Sequence, residues 1–316
     1  MGTEGPQSGQ DDRPVVIGVD GSHSARAAVR AGVREARARG VGVELVLAFP
    51  WRAGDRVSAP DDFDGRAVMH LAADLVLQDL AASARRDGGG VSVSPHLLVG
   101  RPVDVLLEAS RRAQLLCVGH SGSGLLLGST TAALVQHAAA PVLVVPGPVH
   151  MPTDRSGVVV GLSGAECDRA LAETALTAAE VRGCELTVVR AWEHTVPGAA
   201  GVLDPFVDPP TAQYRESGAL DDLLAAVTPR HPTVPVRRVV ERARAAQLLL
   251  AASLTAELVV VGHHHRAVGR LGRVASALLH RAGCTVLVVP DGTARGPAPT
   301  ADRATLTAPP DSSPVS

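Results

Sequence analysis

The glycine-rich segment VGHSGSGLLLGST, residues 118–130, has the composition of a phosphate-binding loop. Its glycines allow the backbone to take positive φ angles and to approach a ligand closely. The N–H groups of such a loop, and of the helix that follows near Thr130, favour an anion such as a phosphate. Ser129 adds a hydroxyl donor or caps that helix. The segment therefore predicts a phosphate site built from Gly119, Gly122, Gly124, Gly128, Ser129 and Thr130.

Asp20 ends an earlier apolar run, VVIGVD, and offers a carboxylate to the same ligand. A carboxylate in this place can accept hydrogen bonds from a ribose hydroxyl or from an adenine amine. Asp20 or Ser22 could instead cap the helix that follows Gly21, and the two roles are compatible. The loop and Asp20 together point to a nucleotide as the ligand.

Apolar runs alternate with helical stretches around these residues. VVIGV is a short continuous apolar run, typical of a strand that is buried on both faces of a parallel sheet. Residues 23–40 follow with alanine and valine at helical spacing and arginine on the other side. Such alternation predicts parallel βαβ units in a doubly wound α/β sheet. Ligands of these sheets lie beyond the carboxyl ends of the strands, where Asp20 and the glycine-rich loop fall.

The chain repeats itself at a constant offset in the numbering, a feature that changes the fold prediction. VVIGVD at 15–20 matches VVVGLS at 158–163, so this repeat offset takes position 15 to position 158. LLCVGH at 115–120 matches LVVVGH at 258–263 at the same offset. VELVLAFPW at 43–51 matches CELTVVRAW at 184–192 at a slightly smaller offset, which predicts a two-residue difference between the repeats. The sequence thus predicts two domains of one fold.

The predicted first domain covers residues 13–147 and the second covers 156–291, with a linker over 148–155. The two ends of the chain are polar and rich in Pro, Gly and Ser, so they lack the apolar surface that would offset the entropy of ordering. We expect disorder at 1–12 and 292–316. A Pro-rich insert at 194–214 has no role that the sequence defines.

Composition excludes several classes of protein. All 30 basic residues are arginine, and P-loop NTPases, protein kinases and pyridoxal enzymes each require a lysine. A net charge of −2 argues against a dedicated nucleic-acid binder. No run reaches the ~18 to 20 uninterrupted apolar residues of a membrane span. Scattered cysteines, with no CxxC pair and no signal peptide, predict reduced thiols and a cytoplasmic location. These are Cys117, Cys167, Cys184 and Cys284.

The quoted segments resemble the universal stress protein family. The resemblance rests on VVIGVDGS, VGRPVDVLLEAS, VGHSGSGLLLGS and HAAAPVLVVP, and it covers both repeats almost end to end. It implies two tandem Rossmann-like domains of the adenine nucleotide alpha hydrolase type, each with a five-stranded parallel sheet and related by a pseudo-two-fold axis. It further implies adenine-nucleotide binding, often of ATP, in stress or dormancy physiology without established metabolic catalysis.

The family's nucleotide signature, G-x2-G-x9-G-[ST], is matched with one departure. Gly119, Gly122, Gly128 and Ser129 are present, but five residues separate Gly122 from Gly128 where the family has nine. The resemblance therefore implies ATP binding in the first repeat on a shortened loop.

The second repeat departs further from the signature. Asp20 corresponds to Ser163, Gly122 to His265 and Ser129 to Arg273, and a side chain at 265 would fill the space that a phosphate needs. We therefore predict that the ATP site is lost there. Basic side chains could hold another anion, or could form only a solvated loop. They are His263, His264, His265, Arg266, Arg270, Arg273, Arg242 and Arg244. Consecutive histidines diverge, so no metal site is predicted.

Three functions remain open from the sequence. A regulatory nucleotide-binding protein leads, and an interaction scaffold whose basic loop docks an acidic protein is the alternative. A slow ATP hydrolase ranks third, because Asp20 is the only well-placed carboxylate and no GxSxG or HExxH motif occurs.

The last strands of the repeats are apolar edge strands, Val142–Val145 and Val286–Val289. The resemblance implies that they pair antiparallel, which predicts an internally paired monomer or a homodimer of such chains.

Overall fold

The computed structural model describes residues 12–50, 65–120, 127–147, 155–165, 167–192, 208–263 and 271–290. Strands and helices alternate in both repeats, as predicted. The first repeat contains β1 (Val15–Val19), α1 (His23–Arg39), β2 (Val43–Phe49), α2 (Gly65–Asp87), β3 (Val93–Val99), α3 (Pro102–Ser110), β4 (Leu115–Gly119), α4 (Ser129–His137) and β5 (Val142–Val145). The second contains β6 (Val158–Leu162), α5 (Asp168–Arg182), β7 (Leu186–Ala191), α6 (Pro209–Val227), β8 (Val236–Glu241), α7 (Ala245–Ala252), β9 (Leu258–His263), α8 (Arg273–Arg281) and β10 (Thr285–Pro290).

The ten strands form one continuous sheet in the order β3-β2-β1-β4-β5-β10-β9-β6-β7-β8. Each repeat contributes five parallel strands, and the order within each is that of a doubly wound α/β domain. The repeats meet where β10 pairs antiparallel with β5, with Leu143 opposite Leu287. The apolar edge strands are thus paired within one chain, as the resemblance implied, and neither is left open.

The core forms two layers, one on each face of the sheet. Helices α1, α2, α5 and α6 cover one face, and their buried residues join those of the strands in a single cluster. Helices α3, α4, α7 and α8 cover the other face in the same way. Strands such as β1 are buried over their whole length because both of their faces carry helices, which explains their continuous apolar sequence.

The repeats keep the same repeat offset through β2 and β7, so the smaller offset predicted for this segment is wrong. Val15 of β1 lies opposite Val43 in the sheet, and Val158 of β6 lies opposite Leu186. Glycines in the left-handed region end the preceding helices, at Gly40 with φ 68° and at Gly183 with φ 60°. The smaller offset follows from aligning the Glu-Leu pairs that the two segments share. The helix ends and the strand register instead determine which residues are equivalent.

By length and composition alone, α2 could cross a membrane. This is a weak indication, and Leu77, Leu80, Ala81 and Ala84 of α2 are buried in the core against the sheet. The expected disordered ends and the linker lie almost entirely outside the described residues. The last residues of the 194–214 insert belong to α6, and 194–207 lie outside the described part of the chain.

Candidate functional site

The candidate site of the first repeat lies at the carboxyl ends of β1 and β4, which are neighbours in the sheet. Asp20 follows β1 directly and is exposed, and its Oδ1 accepts a hydrogen bond from the Ser22 N–H at 3.0 Å. Ser22 is the N-cap of α1, since its Oγ accepts from the Ala25 N–H at 3.1 Å. Of the two predicted caps, Ser22 therefore fills the role. Asp20 orders the turn and keeps its carboxylate at the surface.

Gly119 ends β4 and has a packing role that the sequence did not reveal. A Cβ atom at this position would lie 2.5 Å from the Ser24 Oγ and 2.8 Å from the Ser24 backbone carbon. The first turn of α1 can approach β4 this closely only because residue 119 has no side chain. The Thr131 Oγ1 donates a hydrogen bond to the Gly119 carbonyl at 2.9 Å and so ties α4 to the same strand end.

Gly128, Ser129 and Thr130 lie at the N-terminus of α4, as predicted. Gly128 is the N-cap with φ −64°, and no side chain caps the helix. The positive φ angles that the glycine content suggested are absent at Gly119 and Gly128, which lie outside the left-handed region. Gly128 donates its N–H to the His120 carbonyl at 3.0 Å and closes the base of the loop. Gly122 and Gly124 lie outside the described residues.

His120 connects this edge of the first repeat to the second repeat. Its ring Nε2 lies 2.6 Å from the Leu279 carbonyl of α8, a residue 159 positions further along the chain. The Gly283 N–H, which would reach back to that carbonyl in a longer helix, bonds to the Ser253 Oγ instead. His120 therefore satisfies a helix-end carbonyl of α8. No sequence pattern indicated this contact.

The equivalent turn of the second repeat is closed by a buried carboxylate. Asp168, the first residue of α5, has none of its surface exposed. Its Oδ2 accepts from the Ser163 N–H at 2.9 Å and from the Gly164 N–H at 2.5 Å, and its Oδ1 accepts from the Ser163 Oγ at 3.2 Å. The N–H groups that follow β6 are therefore already bonded to an anion that belongs to the chain.

The buried Asp168 forms a charged triad with Arg190 and Glu216, whose side chains are partly buried. The Arg190 Nη1 lies 3.8 Å from the Asp168 Oδ2, and its Nε and Nη2 donate to the Glu216 Oε2 at 2.8 and 2.5 Å. A Cβ atom on Gly164 would lie 2.5 Å from the Arg190 guanidinium, so that side chain fills the space beneath the turn. By the repeat offset, the first repeat has Ala25, Leu47 and Ala73 at these positions.

The predicted basic cluster of the second repeat is only partly assembled. The Arg242 guanidinium lies 5.8 Å from the Trp192 ring centre, and Arg244 is the N-cap of α7. His263 is 2% exposed at the end of β9. It is therefore buried and does not belong to a basic surface loop, contrary to the expectation from the sequence. Arg273 is the first residue of α8. His264, His265, Arg266 and Arg270 lie outside the described residues, and the described part of the chain holds no metal-binding group of three His, Cys, Asp or Glu.

Two buried cysteines, Cys117 in β4 and Cys284 just before β10, are not nucleophiles. Burial raises the pKa of Cys284 to about 12, and burial raises the pKa of Cys117 still further. Both thiols therefore stay protonated at neutral pH, which makes them inert.

The fold defines a protein of two tandem Rossmann-like α/β domains joined in one sheet. The sequence profile of the universal stress protein family matches it twice, over residues 13–146 and 156–290. The chain therefore belongs to the universal stress protein family. Universal stress protein Rv2005c of Mycobacterium tuberculosis (strain H37Rv) is 32% identical over 296 residues, which cover 87% of this chain and 96% of that protein.

A solved structure of a universal stress protein shows the same fold over most of the chain. This structure, from Archaeoglobus fulgidus DSM 4304, has a TM-score of 0.64 at 17% identity, and the match covers 89% of this chain and 99% of that chain. Another from Archaeoglobus fulgidus was solved in complex with dAMP, an adenine nucleotide. It is 25% identical, covers 42% of this chain and 95% of that chain, and has a TM-score of 0.34.

Proposed function

We propose that the first repeat binds an adenine nucleotide, with ATP as the ligand, and that the second repeat does not. Asp20 accepts hydrogen bonds from the ribose or the adenine amine. The phosphates lie against the N-terminus of α4, where Gly128, Ser129 and Thr130 provide N–H and hydroxyl donors. Gly119 lets α1 and β4 close around this edge, and Gly122 and Gly124 belong to the intervening loop.

The observation that carries this proposal is the difference between the two turns. After β1 the Asp20 carboxylate is exposed, at the same edge as a helix N-terminus that no side chain caps. After β6 the residue equivalent to Asp20 is Ser163, and its N–H is held by the internal carboxylate of Asp168. An anionic ligand would have to compete there with a buried charge of its own sign.

Calorimetric titration of the purified chain with ATP tests the proposal. We expect one ATP per chain, because only one of the two turns is open. Asp20→Ala should weaken binding about tenfold, or 1.4 kcal/mol, since a polar group of the ligand loses its acceptor. Ser129→Ala should weaken binding less, because the backbone N–H groups of α4 remain.

Ser163→Ala is the matched control, because Ser163 occupies the Asp20 position of the second repeat. It should leave ATP affinity unchanged. Absence of ATP binding by the unaltered chain would overturn the proposal and favour the interaction scaffold. Equal losses in Asp20→Ala and Ser163→Ala would place the ligand elsewhere.

We infer a regulatory protein rather than a metabolic enzyme from the same site. Asp20 is a single carboxylate that is already bonded to Ser22, whereas phosphoryl transfer uses a metal-binding set of carboxylates or a positioned base. Multiple-turnover phosphate release that disappears in Asp20→Ala would establish a hydrolase instead. A cytoplasmic location, a homodimer and a role in stress or dormancy remain predictions.

A further inference from the structure

The second repeat contains a cavity of about 530 Å³ at the opposite edge of the sheet from the proposed nucleotide site. It lies at the amino ends of β6, β7 and β8 and beside the C-terminal end of α7. Polar side chains line much of it: Ser156, Cys184, Glu185, Thr187, Arg237 and Thr255. Its size is within the range of small-molecule sites in proteins.

The lining of the cavity differs from the equivalent place in the first repeat, where an ion pair lies. In the first repeat, Arg112 and Glu44 form a salt bridge of 2.9 Å across the amino ends of the strands. The strand register and the shared helix-to-strand spacing make Thr255 equivalent to Arg112 and Thr187 equivalent to Glu44. Two long charged side chains have thus been replaced by two short ones with hydroxyl groups, and the space between them is open.

The polar groups that remain can both donate and accept hydrogen bonds. The Arg237 Nε donates to the Thr187 Oγ1 at 3.3 Å and lies 3.4 Å from the Glu185 Oε1. One cation and one anion therefore lie side by side, so these lining residues carry no net charge. Ser156, Thr187 and Thr255 add three hydroxyls. Those of Thr187 and Thr255 donate to the Glu185 Oε1 and to the Ala252 carbonyl, so they offer a ligand acceptors, whereas a serine hydroxyl such as that of Ser156 can act in either direction. Ala252, half-buried at the end of α7, gives the cavity an apolar wall.

We propose that this cavity is a binding site for a small, uncharged polyhydroxylated molecule, a mono- or disaccharide in size. A neutral ligand suits a lining of zero net charge, because a charged one would leave either Arg237 or Glu185 opposed by a like charge. Sugar hydroxyls match the mixed donors and acceptors, and the C–H face of a sugar suits the apolar wall. The site is independent of the proposed nucleotide site, since it lies at the other edge of the sheet.

Saturation-transfer NMR on the full chain, with D-glucose and trehalose as probes, tests the site. We expect transfer from the protein to at least one sugar. The double variant T187E/T255R rebuilds the ion pair of the first repeat and fills the cavity, so it should reduce the transfer about tenfold or more. R237S should reduce it as well, whereas R238S is the control, because Arg238 bonds to Asp221 on α6.

Labelling of Cys184 gives a second measurement of the same space. The thiol lines the cavity, and burial raises its pKa, so alkylation is followed under mildly alkaline conditions. A bound sugar should slow the labelling in the unaltered chain.

If T187E/T255R does not fold, Ala252→Leu fills the cavity from the end of α7 with one apolar side chain. Lack of saturation transfer to either sugar, or equal transfer in a folded cavity-filled variant, would overturn the proposal.

Discussion

The two repeats share their strand order and register, but their side-chain chemistry differs at the turns that follow β1 and β6. In the first repeat three apolar side chains, Ala25, Leu47 and Ala73, lie under an exposed Asp20. In the second repeat the equivalent positions carry a charged triad, whose aspartate bonds the N–H groups of the turn. In the first repeat the carboxylate that bonds the turn, Asp20 at the Ser22 N–H, is exposed, whereas in the second repeat it is buried.

With the proposed nucleotide site in the first repeat, this difference offers a way for a duplicated fold to lose a binding site and still keep the turn hydrogen-bonded. Removing a ligand-binding carboxylate alone would leave an open turn with unpaired N–H groups. Adding Asp168 satisfies those groups, and Arg190 then compensates the buried charge. The triad does not have to add stability to be retained, because a buried ion pair is often no better than the apolar residues it replaces. It has to be complete, since an incomplete one leaves a charge uncompensated.

Among changes at positions where the two repeats differ, Arg190→Leu should cause the largest loss in the free energy of unfolding. It installs the first-repeat residue but leaves Asp168 and Glu216 without a cation, and loss of one partner from a buried pair costs about 3 to 5 kcal/mol. Urea denaturation followed by circular dichroism measures the loss. The triple variant D168A/R190L/E216A carries the three first-repeat residues and should recover part of the loss, because no charge is left uncompensated although the Ser163 and Gly164 N–H groups lose their acceptor. A triple variant as unstable as the single one would mean that the repeats differ here for reasons of shape and not of charge.

Glu35→Ala should have the next largest effect, at the boundary between the repeats. Glu35 is 4% exposed and receives hydrogen bonds from Arg39 of its own helix and from Arg182 of α5. These two arginines are equivalent by the repeat offset, so one carboxylate serves both. Its removal takes away the carboxylate that the two guanidinium groups share and leaves Arg182 with Glu257 and Arg39 with the Gln114 side chain. We expect a loss of about 3 kcal/mol in urea denaturation.

The position equivalent to Glu35 in the second repeat is Ala178, which supplies a matched rescue. Ala178 is 1% exposed on α5 and lies next to the same pair of arginines by pseudo-symmetry. The double variant E35A/A178E moves the carboxylate from one repeat to the other. It should regain part of the lost stability if the pair of repeats needs one carboxylate, whichever repeat provides it. No recovery would show that Glu35 acts through its own helix alone.

The fold could be predicted from the sequence because its signals are local and doubled. β1 reads as a continuous apolar run, α1 has a clear apolar stripe between Ser22 and Gly40, and each pattern recurs at the repeat offset in the second half of the chain. The register of β7 is the exception, because matching identical residues in the two segments gives the wrong offset. The determinant of its register is the left-handed glycine at the end of α5, which only the helix boundary reveals.

The candidate site could be predicted less well, because its residues act through contacts that spacing does not encode. Asp20 and the start of α4 lie at the edge of the sheet that the rule for strand ends indicates, and their binding role stays a prediction. Gly119 was assigned to a ligand, but its lack of a side chain is required by Ser24. Asp168, Arg190 and Glu216 come from three separate elements, so no motif links them, and the loss of Arg112 and Glu44 from the second repeat is visible only when equivalent positions are compared in space.

The double variant E44T/R112T should have the smallest effect on stability. It gives the first repeat the two threonines of the second, and the Arg112 and Glu44 side chains are 47% and 21% exposed. A solvated ion pair of this kind contributes less than about 1 kcal/mol, so urea denaturation should barely change. The opened space should still bind no sugar, because Gly42 and Ser94 stand where the second repeat has Glu185 and Arg237. Saturation transfer to glucose or trehalose should therefore equal that of the unaltered chain. An increase would mean that open volume alone recruits the sugar, and that the paired charges of the second repeat do not select it.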